Sequence, residues 1–195
     1  KERRDIMKEQ AKIAEPVVTN GINVTENEEI VRAVKEQTEL AKFQFRASNL
    51  WNMGGYNQTT IKGFYGAGEE QGAEGRTFVV DADEPPVLLG EDQAPNPVEY
   101  LLHALTACLT STIIYKAAAR GIAIESLEST LEGDLDSRAF LEVSNEERKG
   151  YQNIRATFRV KSDASTEEIK EMMEFSAVLD VVSHGTPVSL RVEKA

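Results

Sequence analysis

The sequence predicts an α+β fold in which strands and helices segregate rather than alternate. Three observations carry this. Three strand-like runs follow one another before residue 87, one long apolar helix occupies the centre, and two further strand-like runs precede two short helices. A doubly wound parallel sheet would instead alternate the two element types.

Residues 1–42 read as a polar and helical extension, and 43–195 as the main domain. In the extension, Thr25 and Glu28 have the spacing of a capping box, and Ile30, Val31, Val34 and Leu40 follow at helical spacing. The pattern predicts a helix over 26–41. FQFRASNLWNMGG (43–55) predicts a strand ending in a turn at Gly54-Gly55, YNQTTIKGFY (56–65) a second strand, and RTFVVDADEPP (76–86) a third, stopped by Pro85-Pro86. The intervening GAGEEQGAEG (66–75) reads as a loop, and the three strands as an antiparallel meander.

The stretch NPVEYLLHALTACLTSTIIYKAAARG (96–121) then predicts the long helix. Asn96 is a good N-cap, Pro97 suits the first position, Glu99 sits at N3, and Gly121 suits the position after the end. No Asp, Glu, Lys or Arg lies between Glu99 and Lys116, so the helix has apolar groups on nearly every side and needs burial on nearly every side. The uncharged run is short for a bilayer span and carries His103, Thr106, Thr110, Ser111 and Thr112, which favours a core helix and no membrane. One small sheet covers one side of such a helix; a second copy covering the other predicts an obligate homodimer.

IAIESLESTLEGDLDS (122–137) and GYQNIRATFRVKSD (150–163) read as strands. Ser165 and Glu168 form a second capping-box pattern opening a helix with Ile169, Met172 and Met173. FSAVLDVVSHG (175–185) reads as a short helix stopped at Gly185, and PVSLRVEKA (187–195) as a closing strand.

Composition excludes some functions. A net charge of −11 argues against nucleic-acid binding and against anionic membrane surfaces. KERRDIMKEQ is followed by no apolar core region, so no secretory signal is expected, and a first residue of Lys leaves room for residues before it. One cysteine cannot make an intrachain disulfide, which points to a reducing cytoplasm. Two histidines and one cysteine without regular spacing predict no metal site. There is no Gly-x-Ser-x-Gly elbow, and the acidic glycine loop at 66–75 would repel phosphate.

The candidate chemistry centres on Cys108. A free cysteine in a helix is either a reactive thiol or a small hydrophobe. On its own helix no neighbour is cationic: the same-face residues are Ala104, Leu105, Ser111, Thr112 and Tyr115. Glu99 lies about 13 Å away along the axis, on the opposite face, and is equally readable as a cap. Any group that lowers the thiol pKa must come from another element or another subunit.

NPVEYLLHALTACL (96–109), EGDLD (132–136), GYQNIRATFRVKSDA (150–164) and SAVLDVVSHGTPVSL (176–190) together resemble the osmotically inducible protein C and organic hydroperoxide resistance (OsmC/Ohr) family over about residues 43–195. The resemblance implies an intertwined homodimer, with sheets wrapped around two long central helices. It also implies a peroxidase site in which a helix cysteine attacks an organic hydroperoxide and a second cysteine resolves it. An arginine and a glutamate activate the first thiolate, and a dithiol regenerates the pair. Cys108 matches the attacking cysteine. Ser176 stands where the resolving cysteine is expected and Tyr56 where the arginine is expected; Val98 occupies the glutamate position, with Glu99 one residue on. Arg46, on the first strand, is a candidate replacement for the missing charge. Without such a donor the thiol pKa is expected to be raised. Two functions follow as expectations. One is a one-cysteine thiol peroxidase acting on organic hydroperoxides in oxidative-stress defence, with no cofactor beyond an external thiol reductant. The other is a catalytically degenerate scaffold that binds a small lipophilic or acidic molecule.

Overall fold

A computed structural model describes residues 16–72 and 75–194. The reading of the first fifteen residues, the absence of a signal included, lies outside them. The described chain is α+β. A short hairpin, β1 (Val18–Thr19) and β2 (Ile22–Asn23), leads into α1 (Val24–Glu36). The helix starts two residues earlier than its sequence pattern predicts, because Asn23 takes the cap: its side-chain oxygen accepts from the Glu26 amide at 3.1 Å. It also ends earlier, and Thr38–Ala41 form a separate 3-10 turn. Asn20, in a left-handed conformation, fastens this segment to the main domain. Its amide nitrogen donates to the Ile122 carbonyl and its oxygen accepts from the Ile124 amide, both at 2.9 Å.

The predicted meander is present as an antiparallel sheet in the order β3 (Ala47–Met53), β4 (Tyr56–Ile61), β7 (Phe78–Ala82). The second strand ends at Ile61, short of its expected end at 65; Phe64 and Tyr65 join the start of the segment expected as a loop in a separate small hairpin, β5 (Phe64–Gly66) paired with β6 (Glu69–Gln71). Gly68, at φ +86°, supplies the reversal that the glycine-rich run made legible only as flexibility.

The connection to the central helix wraps round a buried carboxylate. Asp83 is 2% exposed and accepts from the amides of Glu84, Glu91 and Gln93 at 2.8, 3.2 and 3.1 Å. Those bonds, the one from Gln93 foremost, hold its pKa below the ordinary carboxylate range against the opposing effect of burial.

The helix α2 (Pro97–Ala119) has the predicted start in full: Asn96 and Glu99 satisfy each other's backbone amides in a capping box. At 23 residues it is longer than its uncharged run suggests and is long and apolar enough to cross a bilayer; within one chain it is buried along one stripe and not on nearly every side as its composition predicts. It lies on β8 (Ile124–Asp134), which pairs with β9 (Asn153–Ser162), and against α3 (Thr166–Met173) and α4 (Ala177–His184). In the β8–β9 register Leu127 faces Val160, Ser129 faces Phe158 and Leu131 faces Ala156, which places these side chains on one face of the hairpin. Thr106 of α2 meets Ser129 there at 2.5 Å. Leu105, Leu109, Ile113, Ala117 and Ala118 form the buried stripe of α2, and Met172, fully buried, anchors α3 against it.

Two apolar features stay uncovered within one chain. Tyr115 of α2 is 54% exposed, and β3 carries Leu50, Trp51 and Met53 in the open. Over residues 187–194 the segment expected as a closing strand forms no strand: Val188, Leu190 and Val192 alternate along it, all at least 74% exposed, and its backbone finds no ladder partner among the described residues. The alternation is that of a strand, but a strand needs an edge to pair with.

Candidate thiol site

Ser176 breaks the chain between α3 and α4. It caps α4, its hydroxyl oxygen accepting from the Leu179 amide at 3.2 Å. This is what a serine directly before an apolar helical run does. The same hydroxyl donates to the Cys108 sulfur at 3.1 Å, and Ser176 is only 1% exposed. Cys108 sits at mid-helix on α2, half-buried, so its sulfur faces the amino end of α4. Burial pushes the thiol pKa up. Hydrogen bonds from Ser176, the Val178 amide, the Thr112 hydroxyl and the Ala177 amide together outweigh it, and the thiol lies below its ordinary value. The physical cause is the one that makes helix N-termini good anion sites: unpaired amides and the dipole both favour negative charge.

The expectation of a raised pKa is thereby reversed, and no guanidinium is needed to reverse it. Most of the lowering groups come from another element, Ser176, Ala177 and Val178 at the start of α4, but they are a hydroxyl and amides, and one, Thr112, lies on α2 itself. Sequence reasoning missed Ala177 and Val178 because backbone donors carry no side-chain signature. The signal available was the serine cap before Ala177, whose free amides must point at something.

The other candidates lie elsewhere. Arg46 pairs with Glu70 of β6 at 2.6 Å, and no hydrogen bond or ion pair joins it to Cys108. Tyr56 of β4 donates to Asp81 of β7 at 3.2 Å; burial and that carboxylate push its phenol up, so it stays neutral. Glu99 is engaged in the helix cap. The structure therefore brings Ser176 to Cys108 and leaves Arg46, Tyr56 and Glu99 apart from it within one chain. Among the described residues no group of three or more His, Cys, Asp or Glu side chains could hold a metal ion.

This combination defines an α+β protein with a helix-borne thiol facing the amino end of a second helix. The chain belongs to the OsmC-like protein family, whose model matches residues 90–191, from the loop before α2 to the segment after α4. Among solved structures it is similar to an OsmC like protein from Mycoplasma pneumoniae, at 17% identity and a TM-score of 0.53, covering 72% of this chain and 88% of that one. It is also similar to an OsmC-like protein of unknown function from Vibrio cholerae, at 12% identity and a TM-score of 0.50, covering 70% and 92%. At these identities the likeness concerns the fold. No curated protein matches the chain.

Proposed function

We propose that this protein is a one-cysteine thiol peroxidase that reduces organic hydroperoxides, with Cys108 as nucleophile and an external thiol as reductant. The observation that carries the reading is the Ser176 hydroxyl donating to the Cys108 sulfur at 3.1 Å at the amino end of α4, an arrangement that favours the thiolate despite burial. The thiolate attacks the terminal peroxide oxygen. A sulfur–oxygen bond forms, the oxygen–oxygen bond breaks, and the leaving alkoxide takes a proton to become the alcohol. The sulfenic acid then condenses with one external thiol, releasing water, and a second thiol reduces the mixed disulfide and restores Cys108.

We propose further that the working unit is a homodimer. The open side of α2, the exposed apolar residues of β3 and the unpaired alternating segment at 188–192 support it, since each is a surface that a second copy could cover.

The test is consumption of cumene hydroperoxide with dithiothreitol as reductant. The intact protein consumes peroxide catalytically, and Cys108→Ser reduces the rate to that of reductant alone. Equal rates for the two proteins would overturn the reading.

A further inference from the structure

We infer that the cleft between β9 and α3 is a binding site for a lipophilic monoanion, such as a medium-chain carboxylate. The cleft has a volume of about 330 Å³, within the range usual for small-molecule sites. Its wall is apolar: Leu109 from α2, Phe158 and Val160 from β9, Ile169 and Met173 from α3, and Leu179 from α4. Ala156, though on the helix-facing side of the hairpin, remains exposed, because α3 and α4 do not close over this part of the sheet. Lys170 stands at the lining, with Ser162 and Thr166 as the polar groups beside it.

The charge of the occupant follows from Lys170. Lys170 is exposed at the mouth of the cleft, so its ammonium is open to the head group of an occupant whose apolar body lies against the wall. Other basic residues nearby are already engaged: Arg120 pairs with Glu171 and Lys161 with Glu125, whereas no ion pair to Lys170 occurs among the described residues. An apolar body in the cleft with an anionic head at Lys170 satisfies both features; a neutral hydrocarbon or an amphiphilic cation would satisfy only the first. The site is separate from the thiol. Leu109 and Leu179 are common neighbours, but Cys108, Thr112 and Ser176 do not line the cleft. It therefore does not depend on Cys108 being reactive.

Binding of dodecanoate to the full chain, measured by calorimetry below the micelle-forming concentration, tests the inference, with dodecyltrimethylammonium as the cationic control. The expected result is one dodecanoate per chain and much weaker binding of the cation, against the direction that net charge alone would give. Lys170→Glu weakens dodecanoate binding about tenfold or more, Lys170→Arg keeps it, and Val160→Phe blocks it by filling the cleft. Cys108→Ser binds as the parent does, so a failed peroxidase assay leaves this result standing. Equal binding of both amphiphiles, or no effect of Lys170→Glu, would overturn the inference. So would a cleft already covered by a second copy, seen as absent dodecanoate binding together with an Ala156→Cys thiol that resists maleimide in a Cys108→Ser background.

Discussion

Ser176→Ala moves the pH profile of Cys108 alkylation to higher pH and slows alkylation at neutral pH by about tenfold. Ser176 supplies the strongest of the interactions that favour the thiolate, and burial, which opposes them, remains after the substitution. The sign follows directly: removing a donor to the charged form raises the pKa, so less thiolate is present at a given pH. Alanine also removes the α4 cap, at a cost of about 1 kcal/mol, so melting temperature is measured alongside. Ser176→Thr, which keeps the hydroxyl, restores reactivity if the effect is the hydrogen bond and not the cap. An unchanged alkylation profile in Ser176→Ala would show that the amides of Ala177 and Val178 suffice alone.

The same geometry makes a stronger forecast. With its hydroxyl 3.1 Å from the Cys108 sulfur, Ser176 occupies a position from which a second thiol would reach the first. Ser176→Cys therefore forms an intrachain disulfide with Cys108 on exposure to peroxide, seen by mass spectrometry as the loss of two hydrogens. The parent, lacking a resolving thiol, passes instead through sulfenic acid to irreversible oxidation when reductant is withheld. Failure of Ser176→Cys to form that disulfide would mean that the two side chains do not approach in solution as they do here.

These forecasts rest on a part of the structure that the sequence disclosed unevenly. The helices α2 and α3 were legible because their caps are local: Asn96 with Glu99 and Ser165 with Glu168 each satisfy backbone amides within one turn, whereas the Thr25 and Glu28 pattern of α1 lost the cap to Asn23. The meander and the β8–β9 hairpin were legible from their alternation. The strand at 187–195 was not correctly placed, since alternation reports which side chains share a face but not whether an edge exists to receive the strand. Cys108 and Ser176 were both found, but the link between them was not, because they lie 68 residues apart and meet only through the packing of α4 on α2. For the same reason Asp83 drew no attention. Its significance depends on three amides, two of them eight and ten residues downstream, folding back on one carboxylate.

That carboxylate sets the second large effect. Gly90→Ala destabilises the protein by about 3 kcal/mol, a fall in melting temperature of roughly 10 °C. A Cβ at position 90 would overlap the Glu84 carbonyl group, and backbone, unlike a flexible side chain, has no alternative rotamer to adopt. Glu84 is also tied to the turn from both sides: its amide donates to Asp83 and its carbonyl accepts from Asp92 at 3.1 Å. Moving it opens the nest around Asp83 and releases the chain that leads into the Asn96 cap of α2, the helix that carries Cys108. Gly150→Ala is the control: no atom lies within 4 Å of its added Cβ and its φ is not in the left-handed region, so it changes stability by less than about 0.5 kcal/mol. Acid acts on the same turn. The Asp83 pKa is depressed in the folded state, so its contribution is present above the ordinary carboxylate range and is lost as pH falls through the folded value. Thermal melts from neutral to acid pH should therefore show a smaller acid-induced loss in Asp83→Asn than in the parent, because the asparagine has no charge to neutralise. A parallel acid loss in both would show that other carboxylates, Asp136 with its pKa of about 2 among them, carry the acid sensitivity.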